Sequence, residues 1–175
     1  MSILRVPLKL FAKAVAPAID LIEFSDYQIQ NTIGDEPSPV FIIGSPRCGS
    51  TVLSQMIIAS YDYKYINNLT EIFHRSLPFG FRISELLFRE NSKKEFESKY
   101  GITTGFNEAS ECPAFWFRWF PRNIDFIEST DLPETSKSEM HKNIHLIKKR
   151  YSKDMLFKNL TIGQRIRVIS EVFPE

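Results

Sequence analysis

Apolar positions along the chain fall into two patterns, short solid runs and runs at helical spacing, and the two take turns. Residues 40–43 (Val-Phe-Ile-Ile) are solidly apolar and follow Pro37, Ser38 and Pro39, which predicts a linker delivering the chain into a buried parallel strand. After a glycine-containing loop, Val52, Leu53, Met56 and Ile57 recur at helical spacing, so strand, loop and helix form one continuous block. Residues 61–69, rich in Tyr and Ile, predict a second short strand that ends at the turn-forming pair Asn67 and Asn68. Ile83, Leu86, Leu87 and Phe96, set among charged residues, predict a helix over 83–96 in a region inserted rather than central. Met140, Ile144, Ile147 and Tyr151 mark a helix over 136–151, with Ser136 and Glu139 as its capping box. Met155, Leu156 and Phe157 read as another strand, and Thr161 is placed to cap a last helix whose inner face is Ile162, Ile166, Ile169 and Phe173.

Alternating strands and helices predict an α/β fold, a mainly parallel sheet flanked by helices. The expected division is an N-terminal helical arm over 1–36 and an α/β domain over 37–175. In the arm, Leu10, Ala14, Val15, Ile19 and Ile22 have helical spacing, while Pro7 and Pro17 start or kink any helix there. Arg5, Lys9 and Lys13 interrupt what a signal peptide needs as its apolar heart. Two uses of the arm stay open: packing against the domain, and peripheral contact with a membrane surface.

Composition narrows the function classes. With 22 basic against 21 acidic residues the formal charge is +1, so no general electrostatic pull toward nucleic acid exists and any anion site is local. The longest uncharged stretch, the 14 residues from 48 to 61, is shorter than the roughly 20 apolar residues of a membrane-spanning helix, so no such helix is expected. Cys48 and Cys112 are far apart and lack metal-ligand spacing, which fits a reducing, cytoplasmic setting and no structural zinc.

The chemistry is concentrated in Phe41-Ile-Ile-Gly-Ser-Pro-Arg-Cys-Gly-Ser-Thr-Val-Leu53. Gly44, four residues, Gly49 and then Ser50-Thr51 have P-loop spacing, in which glycines let backbone N–H groups approach phosphate oxygens and the helix dipole favours the anion. The lysine of an NTP-hydrolysing loop is replaced by Ser50, and Arg47 supplies the nearby charge. Such a loop suits a terminal 5′-phosphate better than a triphosphate, and the missing lysine disfavours a kinase.

Gly44-Ser-Pro-Arg-Cys-Gly-Ser-Thr51 resembles the 5′-phosphosulfate-binding loop of PAPS-dependent sulfotransferases, with Cys48 where that family usually carries serine. Tyr65-Ile-Asn-Asn-Leu69, Phe115-Trp-Phe-Arg-Trp-Phe120 and Leu156-Phe-Lys-Asn-Leu160 are similar to the bacterial branch acting on carbohydrates, so the resemblance runs from about Val40 onward. It implies a P-loop-like sheet and PAPS bound by Ser45, Pro46, Arg47, Cys48, Gly49, Ser50 and Thr51. The implied reaction transfers a sulfuryl group to a hydroxyl or amine of a carbohydrate or small metabolite, with no metal. Family members continue into a strand and an Arg-Asp-Pro loop with a downstream serine that hold the 3′-phosphate. Relative to them this chain is expected to be a C-terminally truncated, incomplete domain. The alternative that follows is a catalytically inactive nucleotide- or partner-binding protein.

Three residues stand out as catalytic candidates. Glu71 follows the second predicted strand, where some sulfotransferases place a catalytic glutamate, and a helix-start glutamate is the plainer role. Glu111, with Glu108 beside it, precedes the aromatic block and is the other candidate base. Lys158 sits just past an apolar strand end, where open parallel sheets bind ligands. His74 is a further candidate base or a surface residue. His141 and His145, four apart, share a helix face but lack a third ligand. Of the residues 115–120, most are expected in the core, with an acceptor pocket as the other use. Arg118 and Arg122 either meet an anionic acceptor or are solvated, and Lys148, Lys149 and Arg150 are expected on a helix's wet face.

Overall fold

The computed structural model describes residues 6–8, 10–15, 18–19, 36–88, 98–99, 102–160 and 162–174. Three strands, β1 (Val40–Ile42), β2 (Lys64–Tyr65) and β5 (Met155–Lys158), form a parallel sheet in the order β1-β5-β2. A separate antiparallel pair joins β3 (Ser98–Lys99) to β4 (Ile102–Thr103). Helices α1 (Ser50–Ser60), α2 (Leu77–Leu87), the single turn α3 (Pro113–Trp116), α4 (Glu134–Tyr151) and α5 (Ile166–Val172) flank the sheet, making the α/β architecture expected.

The strand drawn from furthest along the chain is the central one. Met155, Leu156 and Phe157 are all buried, because a strand with neighbours on both edges and layers on both faces has nowhere to place a polar side chain. In register, Val40 lies opposite Leu156 and Ile42 opposite Lys158, while Lys64 lies opposite Met155. The expectation that residues 40–43 form a buried strand is corrected: β1 is an edge, Val40 and Phe41 are half-buried, and Ile43 has left the strand and is exposed.

One face of the sheet rests on aromatics. The Phe41 and Phe157 rings stack with centroids 5.2 Å apart, and Trp116 meets Phe157 edge-on at 5.1 Å. Phe115, Trp116, Trp119 and Phe120 are buried, so this block is core, as most of it was expected to be. From α4, Met140, Ile144 and Ile147 enter the same cluster at the predicted spacing.

Several helix expectations shift. Helix α2 starts at Leu77, with Pro78 in its first turn, rather than at residue 83; proline pre-set for a helix start was the signal to use. Phe96 and Thr161 lie outside the described residues. Pro133, not Ser136, is the N-cap of α4, and no side chain caps it. A 3-10 turn, Ile162–Arg165, precedes α5. At about three residues per turn it moves the stripe out of phase, so Ile162, Ile169 and Phe173 are buried while Ile166 is exposed. Lys148 is not on a wet face; its ammonium bonds Asp154 Oδ2 at 2.8 Å, and Asp154 Oδ1 accepts the Ser38 N–H at 3.0 Å.

The largest departure is in α1. Of the apolar positions read at helical spacing, Val52, Leu53 and Met56 are exposed and Ile57 is half-buried, whereas Ser50, Ser54, Gln55 and Ile58 are buried. The helix enters through two left-handed residues, Arg47 (φ 65°) and Gly49 (φ 87°), and this entry turns its polar side toward the sheet and the cleft described below. In the arm, residues 10–15 are helical and Ala12 is buried in a cluster with Leu69, Ile72 and Phe73, while Leu10 and Ala14 are exposed. Trp116→Ala is expected to lower stability by about 3–5 kcal/mol. Met56→Ala, on the exposed face of α1, is expected to change it by less than about 0.5 kcal/mol. Urea unfolding measures both, and comparable losses would show that α1 packs through its apolar side.

Candidate functional site

The carboxyl ends of β1 and β5 lie together, since Ile42 and Lys158 are paired at the end of the register, and a cleft of about 650 Å³ opens beyond them. This is where an open parallel sheet leaves room for a ligand. One wall is the loop from β1 to α1. The Cys48 N–H donates to the Ser45 carbonyl at 3.3 Å, closing a turn that carries the chain into the helix. Gly49, the N-cap, has φ 87°, a left-handed conformation that side chains resist. A Cβ on Gly44 would come within 2.8 Å of Cys48 Sγ, so the loop folds tightly on itself.

The first rung of α1 runs from Leu53 N–H to the Gly49 carbonyl at 3.0 Å, and no side chain caps the helix. The N–H groups ahead of that rung therefore lie outside the helix's own ladder, with the positive end of the dipole. Pro46, Arg47, Gly49, Ser50 and Thr51 line the cleft; Ser45 and Cys48, the other two loop residues singled out from sequence, are not among its lining.

Lys158 comes to the same place from β5. Its ammonium, in a side chain only 10% exposed, donates to Thr51 Oγ1 at 2.8 Å and to Glu111 Oε1 at 2.5 Å. Three residues distant in sequence, two of them proposed independently as catalytic, are thus one hydrogen-bonded unit.

Glu71 reaches the cleft from the 3-10 turn Thr70–Phe73. Ser110 Oγ donates to Glu71 Oε2 at 2.7 Å and accepts the Cys112 N–H at 3.1 Å, so this serine orients the carboxylate. Ser110 was missed because a serine between Ala109 and Glu111 carries no local signature. Asn67 and Asn68 do more than turn the chain. Asn67 Oδ1 accepts the Thr70 N–H at 2.8 Å and starts the turn that carries Glu71, while Asn68 Nδ2 donates to the Gly105 carbonyl at 2.7 Å. Tyr65, also in the lining, has its phenol pushed up to about 12, first by burial and then by Glu108, and so remains a donor.

Other candidates lie elsewhere. Glu108 is buried, its carbonyl accepting the Asn68 N–H at 2.9 Å, and it does not line the cleft. His74 faces a different cavity, and burial is the main cause that lowers its pKa. The Arg118 guanidinium bonds the Arg75 carbonyl at 3.2 Å and Glu139, lying over the Trp119 ring, and Arg122 lies over Phe117. His141 and His145 stack with centroids 5.9 Å apart and His141 pairs with Glu36; among the described residues no group of three or more His, Cys, Asp or Glu is gathered for a metal. Also among the described residues, no helix is long and apolar enough to cross a membrane.

Comparison of the chain with protein-family models, with curated proteins and with solved structures finds no match. The chemistry therefore has to be argued from the cleft. An uncapped helix start, two hydroxyls, a guanidinium and an ammonium can hold an oxyanion, and an anion arriving there competes with Glu111 for Lys158. A charge-assisted hydrogen bond is worth about 1.5–3 kcal/mol, or roughly tenfold in affinity and more. Lys158→Ala is accordingly expected to weaken inorganic phosphate binding about tenfold, and Glu111→Gln to tighten it several-fold, in a titration followed by amide chemical shifts. Unchanged affinity in both variants would place the anion site elsewhere.

Proposed function

We propose that this protein is a PAPS-dependent sulfotransferase, similar to the bacterial branch that acts on carbohydrates or small metabolites, and that its sheet is of the P-loop type. The observation that carries the proposal is the convergence in one cleft of the uncapped start of α1, Arg47, Ser50, Thr51 and Lys158 with two carboxylates, Glu71 and Glu111. The residues fit a phosphosulfate, because the donors are N–H, O–H and cationic groups. The bound nucleotide supplies the activated sulfuryl group.

The chain's own residues do the rest. Backbone N–H groups and the Ser50 and Thr51 hydroxyls hold the phosphate, and Arg47 neutralises its charge. Lys158, released from Glu111, provides positive charge where charge builds up in the transition state. Freed of that ion pair, Glu111 is a carboxylate that can take an acceptor proton, and Glu71, fixed by Ser110, is the second. Positioning and charge neutralisation dominate such an in-line transfer, as in phosphoryl transfer. Both cysteines are free thiols, in keeping with a reducing, cytoplasmic setting.

Binding of three nucleotides tests the reading. Adenosine 3′,5′-bisphosphate is expected to bind at least tenfold more tightly than 5′-AMP or Mg-ATP, and Arg47→Ala to lose about tenfold for the bisphosphate. Equal affinity for all three would indicate a nucleotide-binding protein without transfer chemistry, and magnesium-dependent preference for ATP would indicate a kinase. Sulfate transfer from labelled PAPS is expected to fall at least a hundredfold in Glu71→Gln if Glu71 is the base. In Glu111→Gln the same loss is expected if Glu111 is.

A further inference from the structure

A second cavity, of about 290 Å³, lies on the other side of Glu71 from the phosphate loop. Its lining shares two residues with the cleft, Asn68 and Glu71, which makes these side chains a common wall. The rest of the cavity is formed between the N-terminal arm and the 3-10 turn: Ala12 and Ile19 from the arm, Ile72 and Phe73 from the turn. Its body is therefore apolar. Its volume is at the low end for ligand pockets, enough for a compact molecule and too small for an oligosaccharide.

Charge is distributed unevenly around it. Lys13 and Arg75 are both in the lining and both exposed, and among the described residues neither side chain forms an ion pair or a hydrogen bond. The one carboxylate in the lining among the described residues, Glu71, is already held by Ser110 on the cleft side. His74, half-buried beside Arg75, has its pKa lowered, mainly by burial. The cavity thus offers two cations that are unpaired among the described residues, an apolar body and one oriented carboxylate shared with the candidate transfer site.

We infer that this cavity is the acceptor pocket, and that it takes a small hydroxyl compound whose apolar body carries an anionic group: the hydroxyl meets Glu71 and the anion meets Lys13 and Arg75. The inference rests on the sulfotransferase reading and selects small anionic metabolites over glycans. In the transfer, the acceptor's O–H proton passes to the Glu71 carboxylate, and the acceptor oxygen bonds to sulfur. The bond from sulfur to the donor's phosphate oxygen breaks, leaving adenosine 3′,5′-bisphosphate and a sulfate ester. The arm then has a function of its own, since Lys13 and Ile19 complete the pocket.

The test uses the full chain and three probes, 4-hydroxybenzoate, phenol and glucose, titrated by calorimetry. Binding of 4-hydroxybenzoate is expected to be at least tenfold tighter than that of phenol or glucose. The double variant Lys13→Ala/Arg75→Ala is expected to weaken it at least tenfold while leaving adenosine 3′,5′-bisphosphate affinity unchanged, which also shows that the variant is folded. Phenol or glucose binding as tightly as 4-hydroxybenzoate, no saturable binding of 4-hydroxybenzoate, or no effect of the double variant overturns the inference. If 4-hydroxybenzoate binds with the expected dependence but the bisphosphate does not bind, the anion pocket stands and the donor reading falls. If the bisphosphate binds and 4-hydroxybenzoate does not, the donor reading stands and the pocket assignment falls.

Discussion

Lys158 ends the central strand with its ammonium held between the Thr51 hydroxyl and the Glu111 carboxylate, and these bonds tie together three stretches of chain that are far apart in sequence. A lysine with so little exposure needs partners, because an unpaired buried ammonium is costly. Its position follows from the sheet. Because β5 pairs in parallel with β1, Ile42 opposite Lys158, the end of β5 comes level with the start of the glycine loop. Under the proposed function the bond from Lys158 to Glu111 is also the interaction that an arriving anion rearranges, so the same pair sets the affinity of the cleft for anions.

The aromatic block supports that geometry from beneath. Phe115 to Phe120 is wedged against Phe41 and Phe157, whose strands deliver the glycine loop and Lys158. Ser110 and Glu111 lie immediately before this wedge. Their placement in the cleft is therefore set by packing a few residues further on, and Cys112, in the left-handed region at φ 43°, makes the turn between them. A rigid apolar base with polar groups on the segment entering it holds the candidate side chains without giving them rotamer freedom.

The exposed apolar side of α1 and the buried serines on its other side are two aspects of one arrangement. Ser50 and Ser54 face inward because the entry through Gly49 directs the start of the helix at the cleft, and Ser54 Oγ settles its own hydrogen on the Thr51 carbonyl at 2.8 Å. Local hydrophobic pattern gives way here to the geometry of the loop. Such a conflict between pattern and placement is expected where a segment has a binding role to fill.

Much was legible in the chain. Solid apolar runs marked β1 and β5, the stripe of Met140, Ile144 and Ile147 marked the inner face of α4, and the glycine, serine and threonine spacing marked the loop, because each of these signals is local. Glu71, Glu111 and Lys158 were recognisable one by one as candidates of suitable chemistry. What only tertiary structure decided was their company: which strand is central, which side of α1 turns inward, that Lys158 bonds Glu111, that Ser110 holds Glu71, and that Lys13 and Glu71 line one cavity. The physical reason is that side-chain periodicity depends on neighbours a turn away, whereas strand order and the meeting of charges depend on contacts between residues far apart in sequence, as Thr51 and Lys158 are at 107 positions.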